Sequence, residues 1–267
     1  MIMKNKSSYN YIEDYLTVLQ SKGRYSVTLN ELKSQFDVSE KAILQNIYRL
    51  KRKNQMAQVR KEFYVIIPPQ YASRGMLPPT LFIADMMEFL KKDYYVGLYS
   101  AAALHGAGHQ QPMEFQVMVK KPPLRNIKNQ KLNISFYTKT NWESDQITEK
   151  KTETGYLKIS SPELTAFDLV QNHKKIGGLN RIITMLEELT EAIKLSVLLK
   201  TAKTQKTPNI QRLGYLLDKL DNESLANSLL RLLDNRPKEI PVSLAHKKQT
   251  GLINEKWKII ENTELDF

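Results

Sequence analysis

Between Thr28 and Pro69 the chain sets out two helix signals, a tight break and two short strand runs, an order that few folds accommodate. Leu29, Leu32 and Phe36 make a short apolar stripe at helical spacing. Asp37-Val38-Ser39 interrupts it, and Ser39 is placed to cap the second helix, its hydroxyl accepting from the N–H groups of the opening turn. From Ser39 to Lys53, Ile43, Ile47 and Leu50 fall on one face while Lys41, Gln45, Tyr48, Arg49 and Arg52 fall on the other. Met56–Arg60 and Phe63–Ile67 then read as strands joined by a basic tip, Arg60-Lys61-Glu62, and stopped by Pro68-Pro69. Short helix, turn, basic helix and basic hairpin in this order predict a winged helix-turn-helix that binds DNA.

Charge supports a polyanionic partner. The 267 residues carry 40 Lys and Arg against 28 Asp and Glu, a formal net charge of +12. Residues 1–72 hold 12 basic and 6 acidic residues, whereas 161–267 hold 16 and 14, so the excess sits in the first part and the middle. With no cysteine, disulfides, thiolate metal sites and cysteine nucleophiles are excluded. The opening MIMKNKSSYNYIEDYL lacks an apolar signal core, and no run approaches the roughly 20 apolar residues of a membrane span. A cytoplasmic protein with no membrane partner is expected.

Two domains are expected, residues 1–74 as the DNA-binding head and 75–267 beyond it. A first helix over Ser7–Ser21 carries Tyr11, Ile12, Tyr15, Leu16 and Leu19 on one face and stops at Gly23. The turn-rich Gln70–Pro79 marks the boundary. After a helix from Thr80, a small sheet is predicted over about 94–160, with strands at Glu114–Val119, Leu132–Tyr137 and Gly155–Ile159. Ser161-Pro162-Glu163 starts a helix, and a helical part is predicted over about 161–250, with helices at 179–189, 192–202, 210–220 and 225–233. Trp257 and Ile259-Ile260 belong to a closing strand. The fold class is α+β and helix-rich.

On the head, Lys41, Gln45 and Arg49 are expected to reach base edges or the groove, with Ser39 and Tyr48 beside them, while Arg52, Lys53, Arg60 and Lys61 hold phosphates. Lys120, Lys121, Arg125 and Lys128, in a loop between two strands, are candidate polyanion contacts. Lys174, Lys175 and Arg181 flank Gly177-Gly178 before a helix, where a phosphate could sit. Catalysis is not expected. His105 and His109 are four apart, but Gly106 and Gly108 interrupt the helix they would share, so no metal is expected. Ser100, His105 and Asp85 lack the frame of a nucleophile set, Walker A and dinucleotide patterns are absent, and no carboxylate pair on the strands holds Mg²⁺. No cofactor is expected.

Three further stretches, YYVGLYSAAALHG (94–106), GYLKISSPELTAFDLVQ (155–171) and IQRLGYLLDKL (210–220), come after the head in a fixed order. With it they resemble the AbiEi-type antitoxins of abortive-infection, type IV toxin–antitoxin systems, a form of phage defence. The matching residues are Tyr95, Ser100, Ala101, Leu104, His105 and Gly106, then Ser161, Pro162, Glu163 and Asp168, then Arg212, Leu213 and Gly214. Leu164 stands where the family usually has arginine, so Asp168 must be satisfied differently here. The resemblance implies a repressor that binds inverted repeats of its own promoter; with no heptad or strong self-pairing strand to suggest a dimer, monomers cooperating on paired repeats are expected. The resemblance also implies a second domain that counteracts a nucleotidyltransferase-like toxin without forming a stable complex with it. Two other classes stay open: a ligand-sensing regulator without antitoxin activity, and an RNA-modifying or nucleotidyl-transferring enzyme whose head delivers substrate.

Overall fold

The computed structural model describes residues 11–108, 113–233, 237–245 and 250–267. The chain starts with α1 (Tyr11–Ser21), β1 (Ser26–Thr28), α2 (Leu29–Gln35), α3 (Glu40–Arg52), β2 (Met56–Arg60) and β3 (Phe63–Ile66). Each begins where a local signal puts it. The Thr28 hydroxyl accepts from the Glu31 N–H at 3.1 Å to cap α2, and Ser39 accepts from the Ala42 N–H at 3.3 Å to cap α3. Asn54 turns α3 into β2 at φ 54°, and Glu62 turns the hairpin at φ 63°. The three strands pair antiparallel in the order β1-β3-β2, with an irregular register between Gln58 and Arg60. Ile12, Leu16, Leu32, Ile43, Ile47 and Leu50 close a common core, each worth about 1.5–3 kcal/mol of burial. Residues 7–10 of the expected first helix lie outside the described residues.

The chain continues through α4 (Ile83–Phe89), β4 (Tyr94–Val96), α5 (Leu98–Leu104), β5 (Phe115–Val119), β6 (Ile127–Lys128), β7 (Asn133–Thr138), β8 (Ile147–Thr152) and β9 (Gly155–Ser160). These six strands form one sheet in the order β6-β7-β5-β4-β9-β8. Then come α6 (Pro162–Asn172), α7 (Leu179–Leu189), α8 (Leu195–Ala202), α9 (Thr207–Lys219), α10 (Glu223–Leu230), β10 (Ile240–Pro241), β11 (Leu252–Asn254) and β12 (Ile259–Glu261). The fold is α+β and rich in helices, as the sequence predicts.

Some boundaries are corrected. Helices give out at Leu230 rather than near 250, because Ile240 and Pro241 pair in parallel with Ile259 and Ile260 of β12. The predicted basic loop contains β6. Strand β8 has no counterpart among the predicted strands, since its exposed Thr-Glu-Lys-Lys run shows no apolar alternation.

Compactness divides the chain into two units, each gathered from several stretches. The first comprises Met1–Tyr94, Val119–Lys139 and Glu149–Lys158. The second comprises Tyr95–Met118, Thr140–Thr148 and Ile159–Phe267. In the second, α6 is buried from Glu163 through Val170 and packs on α5, α7, α8 and α9, so its apolar surface runs around the whole helix. No described helix is long and apolar enough to cross a membrane.

Candidate functional site

The face of α3 opposite Ile43, Ile47 and Leu50 is open to solvent at Lys41, Gln45, Tyr48, Arg49 and Arg52. Tyr48 is 63 % exposed, and Leu44, absent from the residues expected on this face, is 41 % exposed beside it. The signal is present in the sequence, for Leu44 follows Ile43 by 100° and falls off the buried stripe. Amide, phenol, guanidinium and ammonium groups on one helical row can read base edges and hold phosphates. Lys53 caps α3 and pairs with Glu13 at 2.9 Å.

At the hairpin the two expected phosphate ligands differ. The Lys61 side chain is 91 % exposed, 3.8 Å from Glu62. Arg60 turns inward within the first unit: its Nη2 donates to the Arg125 carbonyl, and its guanidinium lies 5.3 Å from the Phe136 ring centre. Burial lowers its pKa from the ordinary arginine value. Of the loop cations, Lys121, Arg125 and Lys128 are exposed and Lys120 pairs with Asp93 at 3.1 Å. Lys131, at the end of the same loop, reaches Asn54 at 3.4 Å, a meeting of residues 77 apart that no local pattern announces.

The motif residues of the second unit hold its fold. Gln116 N–H donates to the Ser100 hydroxyl at 2.9 Å. His105 Nε2 meets the Ser160 carbonyl at 2.7 Å, and Gly106 turns the chain at φ 95°. Ser161 caps α6 through the Leu164 N–H, Pro162 opens it, and Glu163 accepts from the Lys194 N–H at 2.7 Å. Asp168, fully buried, accepts from the Tyr95 hydroxyl at 2.7 Å, which answers the absence of an arginine at Leu164. Burial first, then the Asp168 carboxylate, holds the Tyr95 phenol well above its ordinary pKa. Arg212 Nε donates to the Pro241 carbonyl at 3.0 Å, and Gly214 gives room to the Trp257 ring, which a Cβ would approach to 2.1 Å.

The residues considered for catalysis are engaged separately. Asp85 accepts from the Ser26 hydroxyl at 2.5 Å, and burial raises its pKa; Ser100 and His105 have the partners just given. His109 lies outside the described residues, and among those described no group of three His, Asp or Glu side chains could hold a metal. Arg181 lies over Tyr99, 4.2 Å from its ring centre.

Residues 95–219 match the family model of the AbiEi antitoxin C-terminal domain. This segment is an AbiEi-type antitoxin domain. The matched stretch contains every motif residue named above, from Tyr95 to Gly214. The crystal structure of the RV2827C protein from Mycobacterium tuberculosis shares the fold: TM-score 0.70 over 96% of this chain and 92% of that one, at 15% identity. A nucleotidyltransferase-like antigenic protein from Paracoccidioides brasiliensis aligns over 55% of this chain and 88% of its own, at 11% identity and a TM-score of 0.36, too slight a likeness to bear on the fold. No curated protein matches the chain.

His173, near the start of the turn into α7, gives the antitoxin domain a pH dependence. It is fully buried, with Nδ1 2.7 Å from the Val170 carbonyl and Nε2 accepting from the Leu244 N–H at 2.8 Å. That pairing requires the neutral ring, and burial lowers its pKa from 6.5. The unfolded chain therefore binds the proton first, and stability should fall as the pH drops below the unfolded value of 6.5. Melting curves from about pH 8 to about pH 5.5 should show this decline, weaker in His173→Gln. Equal slopes for the two proteins would remove His173 as its source.

Proposed function

We propose that the chain is a DNA-binding autorepressor and antitoxin, non-enzymatic and cytoplasmic. Its first 74 residues act as a winged helix-turn-helix that binds promoter inverted repeats. The observation that carries this reading is the exposed face of α3, where Lys41, Gln45, Tyr48, Arg49 and Arg52 stand together over a core that fixes the helix. The order of three helices and a β1-β3-β2 sheet supports it, as does the excess of basic residues in the head. Lys41, Gln45 and Arg49 carry the groove contacts, with Ser39 and Tyr48 beside them. Arg52, Lys53 and Lys61 carry phosphate, Arg60 does so from the side of the hairpin, and the loop cations Lys120, Lys121, Arg125 and Lys128 extend the contact.

Residues 75–267 counteract a nucleotidyltransferase-like toxin without a stable complex, a role supported by the AbiEi-type domain. Monomers cooperating on paired repeats fit a chain in which no heptad offers a dimer seam.

Separation of the two activities tests the proposal in the full chain. The neighbouring gene is induced in cells carrying the wild-type protein or Gln45→Ala/Arg49→Ala, while a reporter records the promoter. The expected outcome is growth rescue by both proteins and repression by the wild type alone. If the neighbouring gene is not toxic, the antitoxin role falls; if the variant still represses, the DNA-binding role of α3 falls.

A further inference from the structure

The first unit carries a groove of about 750 Å³ along β2, between the last turn of α3 and the loop ending at Lys131. We propose that this groove is a second phosphodiester site, which takes one backbone strand of duplex DNA as it leaves α3. The inference rests on the DNA-binding reading above and adds a path for the flanking backbone.

Four cations, Lys51, Arg60, Lys61 and Lys131, line the groove together with the amides of Asn54 and Gln58, and no carboxylate lines it. Met56, Ala57, Val59 and Met76 supply apolar surface between them, but four cations with no carboxylate to balance them favour an extended polyanion. Length agrees. The five residues of β2 span about 17 Å, room for a short run of consecutive phosphates on one strand. Lys51 and Asn54 place one end at the end of α3, where a helix in the major groove hands over to the backbone.

Two details indicate that the groove is built rather than incidental. Gly75 turns the chain at φ +58° beside the Lys131 side chain, a conformation that favours glycine. The Lys131 ammonium donates to the Asn54 side-chain amide oxygen at 3.4 Å, which places the cation over the end of α3. Arg60 is held by the Arg125 carbonyl and the Phe136 ring, yet its Nε is buried with no hydrogen-bond acceptor among the described residues. A buried donor without an acceptor at a groove wall suits an incoming phosphate oxygen.

The test uses the full-length protein and a labelled duplex spanning the promoter upstream of its own gene, titrated over a range of salt. Lys131→Ala should reduce the slope of log K against log salt by about 0.9, and Lys61→Ala by a similar amount. Lys203→Ala, an exposed cation of the second unit, should leave the slope unchanged and controls for loss of charge alone. Phosphate ethylation should interfere with wild-type binding beyond the core contacted by α3, and this outer interference should vanish in Lys131→Ala. An unchanged slope and outer footprint in Lys131→Ala, with binding still lost in Arg49→Ala, overturns the groove and spares the reading of α3. ATP raising the melting temperature of the wild type but not of Lys131→Ala, with the DNA slope unaltered, overturns it in favour of a free phosphate ligand. A wild-type protein that ignores the duplex overturns both. Lys131 is exposed, so a melting temperature equal to wild type certifies the variant.

Discussion

Replacing Trp257 by alanine is expected to cost about 3–5 kcal/mol of stability, the upper range for truncation of a buried side chain. The indole is fully buried, and hydrogen bonds hold both the ring and the backbone of this residue. Its Nε1–H donates to Asp218 at 2.9 Å, its backbone N–H donates to the Asn254 side chain at 3.0 Å, and its carbonyl accepts from Gln211 at 2.9 Å. Against its ring lies Gly214, where a Cβ would come within 2.1 Å of the six-membered ring, so the cavity left by alanine opens beside the middle of α9. The converse change makes the same contact visible. Gly214→Val forces ring and helix apart and should cost about 1–3 kcal/mol or more. The double variant Gly214→Val/Trp257→Ala should be milder than the sum of the two, because the valine occupies space the indole has vacated. Urea denaturation of the four proteins measures this coupling. Additive losses would mean that the two residues do not share one packing site.

That result bears on how the family's motifs should be understood. Arg212 holds Pro241 and Gly214 admits Trp257 against α9; Ser161, Pro162 and Glu163 start α6; Asp168 receives the Tyr95 hydroxyl. All but the half-buried Pro162 are committed to the interior, so substitution there is expected to act first by destabilising the domain. A rescue assay on motif variants therefore needs a melting temperature beside it before any loss is read as functional.

The elements from α1 to β3 are legible in the sequence because their signals are local. A serine three residues before its N–H partner, an apolar stripe at helical spacing and a proline stop lie within a few positions of the element they define. The α6 start is legible for the same reason. Where partners lie far apart, the sequence is silent. Arg60 reads as a hairpin-tip cation, but its fate is set by Arg125, 65 positions on, and by Phe136. Gly214 reads as a helix-weakening residue until Trp257 is placed against it. Strand β8 is hidden because pairing, rather than an apolar face, makes it a strand: its four central residues are all polar and exposed. Leu44 differs from these, since its phase about 100° from Ile43 puts it off the buried stripe, and only the charge around it on α3 draws the eye away.

Arg49→Ala should weaken binding to the promoter repeats by about 1–3 kcal/mol, roughly 5- to 150-fold, with a much smaller loss on duplex of unrelated sequence. Arg49 follows Gln45 by one turn on the exposed side of α3, and the packing of Ile43, Ile47 and Leu50 fixes the rotation of the helix about its axis. A guanidinium so placed can pair in bidentate fashion with guanine O6 and N7, while Gln45 suits adenine N6 and N7. Lys61→Ala is the contrast, because an ammonium on the hairpin meets phosphate and should weaken both duplexes alike. Anisotropy titrations at one fixed salt concentration, on the promoter duplex and on a shuffled one, separate the cases. Equal losses from Arg49→Ala on both would reassign Arg49 to the backbone. Wild-type affinity on both would remove α3 from the groove altogether, leaving Lys61 and the loop cations to account for any binding that remained.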